Sequence, residues 1–140
     1  MKRFNVCGIG NGIVDILVRV DQKTFDALGA EKGTMRLVDS AEQSKLLEQV
    51  STFSPVLASG GSTANSIIGM VQLGGKGAFL CRLGDDRYGI HYQEEFAALG
   101  IELGTGPIVG RSSGTSAIMV TPDGERTMRT CLATSAEFSE

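Results

Sequence analysis

The chain has 140 residues, 41% hydrophobic and 21% charged, the balance of a globular domain rather than a disordered or membrane-spanning segment. Its net charge of −3, from 13 basic and 16 acidic residues, gives no general attraction to nucleic acid. Glycine supplies 19 residues, roughly double its usual share, without the period of collagen, so the excess marks turns and close backbone approaches. Cys7, Cys81 and Cys131 are widely spaced and accompanied by one histidine, His91. That set excludes a disulfide framework and is poorly suited to zinc. Each cysteine lies in or beside an apolar run, which predicts buried, reduced thiols. Met1-Lys2-Arg3-Phe4-Asn5 runs into glycine, with no signal-peptide pattern and no apolar span of about 18 residues. The expectation is a cytoplasmic protein that does not engage membranes.

Phe4 to Ile9 reads as a buried strand entering the glycine loop Gly8-Ile9-Gly10-Asn11-Gly12. Ile13 to Val20 reads as a second strand, in which Asp15 stands where packing alone would favour an apolar side chain. Gln22 to Leu28 suits a short helix closed by Gly29, and Thr34 to Val38 is extended. A helix begins at Ser40, with Ser40 and Gln43 as a capping box and Ala41, Leu46, Leu47 and Val50 as its apolar stripe. Val56 to Ser59 reads as a core strand. Ser62 or Thr63 then caps a helix that buries Ala64, Ile67, Ile68, Val71 and Leu73 and stops at Gly74-Gly75.

Ala78 to Leu83 is a strand, Gly84 a turn, and Asp86 to Leu99 a helix ending at Gly100. Strands alternating with helices in this way predict a parallel α/β sheet covered on both faces. From Thr105 onward the rhythm changes. Thr115–Thr121 and Arg126–Leu132 flank the turn Pro122-Asp123-Gly124-Glu125 as a β-hairpin. With the strands at 13–20 and 34–38, the hairpin predicts a small separate sheet.

Two glycine motifs fail on spacing. Gly8-x-Gly10-x-Gly12 lacks the third glycine of a dinucleotide fingerprint, having Ile13 there, and leads into a strand rather than a helix. Gly69 to Lys76 is no P-loop, because Gly75 follows Gly74 and the segment closes a helix. Gly60-Gly61-Ser62-Thr63-Ala64-Asn65 is more informative. Two glycines before a helix leave unpaired N–H groups and bare backbone facing one point, and Asn65 can both donate and accept. On these grounds alone the corner reads equally as a hydroxyl-binding site or as a plain helix start with Asn65 in solvent.

Gly60-Gly61-Ser62-Thr63-Ala64-Asn65-Ser66 resembles the N-terminal signature of the ribokinase-like (PfkB) carbohydrate and nucleoside kinases, in the form seen in the adenosine-kinase-like branch. Gly10-Asn11-Gly12-Ile13-Val14-Asp15 is similar to the family's first substrate loop, and Leu83-Gly84-Asp85-Asp86-Arg87-Tyr88-Gly89 to its GxDxxG turn. Ser113-Gly114-Thr115-Ser116 and Asp123-Gly124-Glu125-Arg126-Thr127 resemble its lid strands and hairpin turn. Cys81 departs from the family pattern, where glycine is common.

The resemblance implies an α/β fold: a Rossmann-like parallel sheet with flanking helices, plus a small β-sheet lid. Residues 1–140 would form the N-terminal portion of such a kinase domain, with lid strands near 13–20, 34–38 and 106–132. It implies substrate binding by Asn11, Ile13, Asp15, Gly60, Gly61, Ser62, Asn65 and Ser116. Asp15 would accept vicinal sugar hydroxyls, Gly60 and Gly61 would admit the sugar to the backbone, and Asn65 would bond a ring hydroxyl. Asn11 would support that loop, while Ile13 and Ser116 would line the lid side against a base or aglycone. Arg126 would reach the transferred phosphate; its plain alternative is a solvated hairpin charge. His91 reads as a helix-surface residue.

ATP and Mg²⁺ are the cofactors of the complete enzyme by this resemblance. The family's catalytic base lies in a Gly-Ala-Gly-Asp-type motif, which nothing from Met1 to Glu140 matches. The expectation is thus the N-terminal, substrate-binding half of an ATP-dependent sugar or nucleoside kinase, inactive alone and with no metal site of its own. The alternative is a stand-alone sugar- or nucleoside-binding module. Its partners would be a small-molecule substrate and a second copy, through the lid or an exposed sheet edge. A sheet interrupted after its first strands predicts marginal stability or self-association.

Overall fold

The computed structural model describes Arg3–Glu137. Met1-Lys2 and the closing Phe138-Ser139-Glu140, both considered above, lie outside the described residues. The chain divides into two compact units. Within the described range the first comprises residues 3–14, 59–114 and 132–137, and the second Asp15–Ala58 and Thr115–Cys131.

The first unit is built on a three-stranded parallel sheet of β1 (Val6–Ile9), β5 (Gly77–Leu80) and β6 (Glu102–Leu103), in the order β1-β5-β6. Val6 pairs with Gly77 and Ile9 with Leu80, while Ala78 pairs with Glu102. The short β6 carries no sequence signal of its own and was not among the expected strands. Helix α3 (Ser62–Gln72) packs on β1 and β5, and α4 (Arg87–Ala98) packs on β6. The core joins Ile67 and Phe79 to Tyr92 and Phe96, whose rings stack with centroids 4.4 Å apart.

Three expectations need correction, one of which also involves Cys131 of the second unit. β1 is not buried on both sides: Cys7 and Ile9 alternate outward and are exposed, because a strand presents successive side chains to opposite faces. Of the three thiols only Cys81 is fully buried; Cys131 is partly so. Leu73, assigned to the buried face of α3, is 91% exposed. It stands past the last helical residue, at the C-cap, where the helical stripe no longer applies.

A five-stranded sheet lies mostly in the second unit, in the order β3-β8-β7-β2-β4. Its strands are β2 (Ile13–Arg19), β3 (Met35–Leu37), β4 (Val56–Gly60), β7 (Gly114–Val120) and β8 (Arg126–Cys131), with α1 (Gln22–Ala27) and α2 (Ser40–Gln49) as its helices. The hairpin β7–β8 is antiparallel, with Ser116 opposite Thr130 and Val120 opposite Arg126. β3 pairs parallel to β8, Met35 against Met128. The small sheet expected from the hairpin and strands 13–20 and 34–38 is therefore present, enlarged by β4. That strand was expected in the core of the parallel layer; it is instead an edge, with Val56 65% exposed. A short apolar run specifies an extended segment but not which sheet will recruit it.

Helix starts were legible to within one or two residues. Asp39, not Ser40, caps α2, its carboxylate accepting from Glu42 N at 2.8 Å. Gln43 is released from any capping role and Ala41 is exposed. The Gln43 carboxamide is buried and donates to Thr115 O at 3.1 Å and Arg129 O at 2.9 Å, while accepting from Thr115 Oγ1 at 2.6 Å. It thereby ties α2 to both strands of the hairpin.

Replacing Gln43 by methionine keeps the volume but removes these bonds and strands the Thr115 hydroxyl. The urea-unfolding free energy is expected to fall by about 1–3 kcal/mol, and an unchanged midpoint would show that the clamp adds nothing.

Candidate functional site

Within the first unit the sequence-predicted residues gather at the loop after β1 and the corner between β4 and α3. Gly61 occupies the N-cap position of α3 with φ of 105°, a conformation that residues with a side chain rarely adopt. A Cβ there would lie 2.3 Å from Asn11 O, so the backbones of Asn11 and Gly61 touch. α1, α2 and α4 are capped by the carboxylates of Asp21, Asp39 and Asp86, whereas α3 has no side-chain cap. Ser62 begins the helix rather than capping it. Asn65 N donates to Gly61 O, which leaves the preceding amides of the first turn without an intrahelical acceptor. Ser62 and Asn65 are exposed on that turn, so Asn65 is open to solvent and to a ligand alike. Gly12 and Ile13 are buried, and Ile13 packs against Gly114.

The corner is held from behind by α4, through residues that sequence reasoning did not single out. The Tyr92 hydroxyl donates to Gly60 O at 3.1 Å, and the Glu95 carboxylate accepts from Ser59 N at 2.7 Å. Their only sequence signal is the three-residue spacing that sets both on one side of a helix. His91 is half-buried rather than a surface residue, with Nε2 3.3 Å from the Glu95 carboxylate. The Cys81 thiol is pushed up to about 12 by burial, so it is no nucleophile at neutral pH.

The GxDxxG-like turn is structural in its bonding. The Asp86 carboxylate accepts from Gly89 N, Ser113 N and Ser113 Oγ at 2.9, 2.9 and 2.7 Å. Ser113 Oγ in turn accepts from Gly84 N at 2.9 Å. A Cβ on Gly84 would meet Arg111 O at 2.0 Å, so this turn too requires glycine.

In the second unit Asp15, Ser116 and Arg126 were predicted. On β2, Val14, Ile16 and Val18 are buried, whereas Asp15 and Leu17 alternate onto the other face and are half-buried. Burial raises the pKa of the Asp15 carboxyl, and the positive charge of Arg126 opposes that rise. Arg126 itself is exposed at the start of β8. The structure thus couples this carboxylate and guanidinium electrostatically. Ser116 is buried, its hydroxyl 2.8 Å from Thr130 Oγ1 across the hairpin. Among the described residues no group of three His, Cys, Asp or Glu is arranged to hold a metal ion, and no helix is long and apolar enough to cross a membrane.

The model of the pfkB family of carbohydrate kinases matches residues 30–140. The chain belongs to this family. No curated protein matched significantly. Among solved structures, adenosine kinase from Sinorhizobium meliloti is similar at 36% identity with a TM-score of 0.84, over 99% of this chain and 42% of that one. A probable sugar kinase from Rhizobium etli CFN 42 is similar at 35% identity and a TM-score of 0.85, again over 99% and 42%. Anopheles gambiae adenosine kinase, in complex with P1,P4-di(adenosine-5) tetraphosphate, shares the fold at 21% identity and a TM-score of 0.81, over 95% and 40%. The chain thus spans about two-fifths of the solved kinases it matches. The expected α/β fold with a parallel sheet, flanking helices and a second, small sheet is that of these kinases.

Gly61→Ala places a methyl group against Asn11 O in a strained backbone, and is expected to lower stability by about 1–3 kcal/mol; a melting temperature equal to that of the parent would contradict this geometry. Asp15 should behave oppositely. Its folded-state pKa lies above the ordinary 3.8, so the folded chain binds this proton more tightly than the unfolded chain does. Its contribution is most favourable below pH 3.8 and is lost as the pH rises through the folded-state value. Asp15→Asn should therefore raise the melting temperature at pH 7 relative to the parent and leave the two alike in acid; a lower melting temperature at pH 7 would refute the assignment.

Proposed function

We propose that this chain is the substrate-binding part of an ATP-dependent kinase that phosphorylates a primary hydroxyl of a sugar or nucleoside. The observation that carries the reading is Asp15, a half-buried carboxylate kept beside Arg126 where an apolar residue would pack at less cost. A charged group held in an unfavourable setting is characteristic of sites shaped for binding rather than stability. A carboxylate there suits vicinal hydroxyls, because it can accept one bond at each oxygen. The α3 corner of the first unit offers groups of a different kind. Gly60 and Gly61 present bare backbone, the first-turn amides can donate, and Asn65 and Ser62 can both donate and accept. Asn11 supports that corner through its backbone contact with Gly61, and Ile13 and Ser116 supply lining for a base or aglycone.

Two of the similar kinases are named for adenosine, and Schistosoma mansoni adenosine kinase is described in complex with adenosine and with tubercidin, sharing the fold at 18% and 19% identity. This favours a nucleoside over a free sugar as the substrate. In the complete enzyme ATP with Mg²⁺ would supply the phosphoryl group. Arg126 is this chain's contribution toward it, since an exposed guanidinium can meet phosphate oxygens through two parallel bonds. The proton of the attacking hydroxyl needs a base, and the Gly-Ala-Gly-Asp-type segment that would supply it has no counterpart between Met1 and Glu140.

The 140-residue chain is accordingly expected to convert no adenosine, ribose or fructose in the presence of ATP and Mg²⁺, while binding adenosine by calorimetry in a way that Asp15→Ala and Asn65→Ala abolish. Turnover by the chain alone would overturn the missing-base reading, and absence of any nucleoside binding would overturn the substrate assignment.

A further inference from the structure

The second unit contains a cavity of about 630 Å³ between the α1–β3 connection, β3, α2 and β8. Arg129 forms part of its wall, and that residue is only 7% exposed. Its guanidinium is engaged through one nitrogen. Nη1 donates to Met128 O at 2.8 Å, Thr34 O at 3.1 Å and Thr34 Oγ1 at 3.3 Å, all neutral acceptors. Among the described residues Nε and Nη2 donate to nothing, and no carboxylate lies within ion-pair distance. Burial lowers the Arg129 pKa and the positive charge of Arg36 adds to that shift, with the charges of Glu42 and Glu31 opposing it.

The residue is largely enclosed, but its Nε–Nη2 edge is neither bonded nor fully buried, and that edge has the geometry that receives two oxygens side by side. The other charges of the wall nearly cancel. Arg36 is ion-paired to Glu42, which leaves Lys45 beside Arg129 against Glu31 alone. The remaining surplus is a single positive charge. Leu28, Met35 and Leu46 add apolar wall.

This cavity is separate from the candidate substrate residues of the same unit. Arg126 and Arg129 are an odd number of positions apart on β8, so they project to opposite faces of the sheet. Thr127 shares the Arg129 face, where its hydroxyl accepts from Gly33 N at 3.0 Å, and Gln43 of α2 binds from that side.

We propose that this cavity binds a small organic monocarboxylate, its carboxylate on the free edge of Arg129 and its apolar body on Leu28, Met35 and Leu46. A carboxylate is favoured over a phosphate dianion because Glu31 and Glu42 also line the cavity. Lys45 assists as the second unpaired cation of the wall. The assignment does not depend on the kinase reading and needs no catalysis to be tested.

The experiment is an NMR titration of the isotope-labelled 140-residue chain with hexanoate, with hexylammonium, hexanol and inorganic phosphate as parallel arms. Saturable shifts confined to the amides of Gly29, Ala30, Arg36 and Lys45 with hexanoate alone are expected. Arg129→Met should weaken that binding at least about tenfold, the loss of a charged hydrogen bond. Because Arg129 also anchors Thr34, the exposed Lys45→Glu provides a second variant, expected to weaken hexanoate severalfold while leaving the rest of the spectrum in place. Dispersed or unsaturable shifts, or hexanoate binding unchanged in Lys45→Glu, would overturn the site. Equal binding of hexanol or hexylammonium would overturn its anion specificity, and equal or tighter binding of phosphate would overturn the organic carboxylate.

Discussion

The Gln43 carboxamide reaches one backbone carbonyl on each strand of a hairpin far away in sequence, and accepts the Thr115 hydroxyl as well. The second unit depends on such a contact because its two segments, Asp15–Ala58 and Thr115–Cys131, are separated by more than fifty residues of the other unit. Apolar burial brings such segments together without specifying their register. A buried amide whose donors and acceptor all find partners does specify it, since any slip leaves polar groups unpaired away from water. Asp86 has the same role in the first unit, joining the start of α4 to Ser113 just before β7. Both side chains act on backbone, so each fixes where the chain runs rather than what it presents.

What the chain presents follows from that placement. Ser113 leads through Gly114 into the strand that carries Ser116, and Gln43 holds the same strand from its opposite face. At the α3 corner Tyr92 and Glu95 restrain Ser59 and Gly60, while the touching backbones of Asn11 and Gly61 exclude any side chain at the latter. Candidate ligand-binding groups are thus supported by residues that would meet no ligand. Asp15 is the exception: burial raises its proton affinity, and only the charge of Arg126 offsets this. A carboxylate there costs stability, and so it stands out from the apolar alternation of β2.

Strand alternation also separates the two arginines of β8. Arg126 shares a face with Met128 and Thr130, whereas Arg129 turns toward α2 and the β3 segment. Read as a sequence, ERTMRT offers two similar basic residues, and only Arg126 falls on a motif. Burial distinguishes them: one is an exposed charge and the other is nearly enclosed, with a single nitrogen satisfied.

The sequence by itself determined the order and kind of nearly every element, because helical stripes, strand runs and glycine stops are local patterns. It also determined the family, through short motifs whose residues are close along the chain. It could not determine that β4 joins the sheet of the second unit, that β6 exists, or that β1 keeps one face open, since recruitment depends on partners far away in sequence. Ser40 and Gln43 show the limit plainly. Their spacing fits a capping box, but Asp39 is the better-placed acceptor for the first turn, and the tertiary structure had a buried use for the amide that local reasoning could not see. Tyr92, Glu95 and Arg129 belong with Gln43, because each is defined by the distant backbone or charge it meets, and such meetings exist only once the chain has folded.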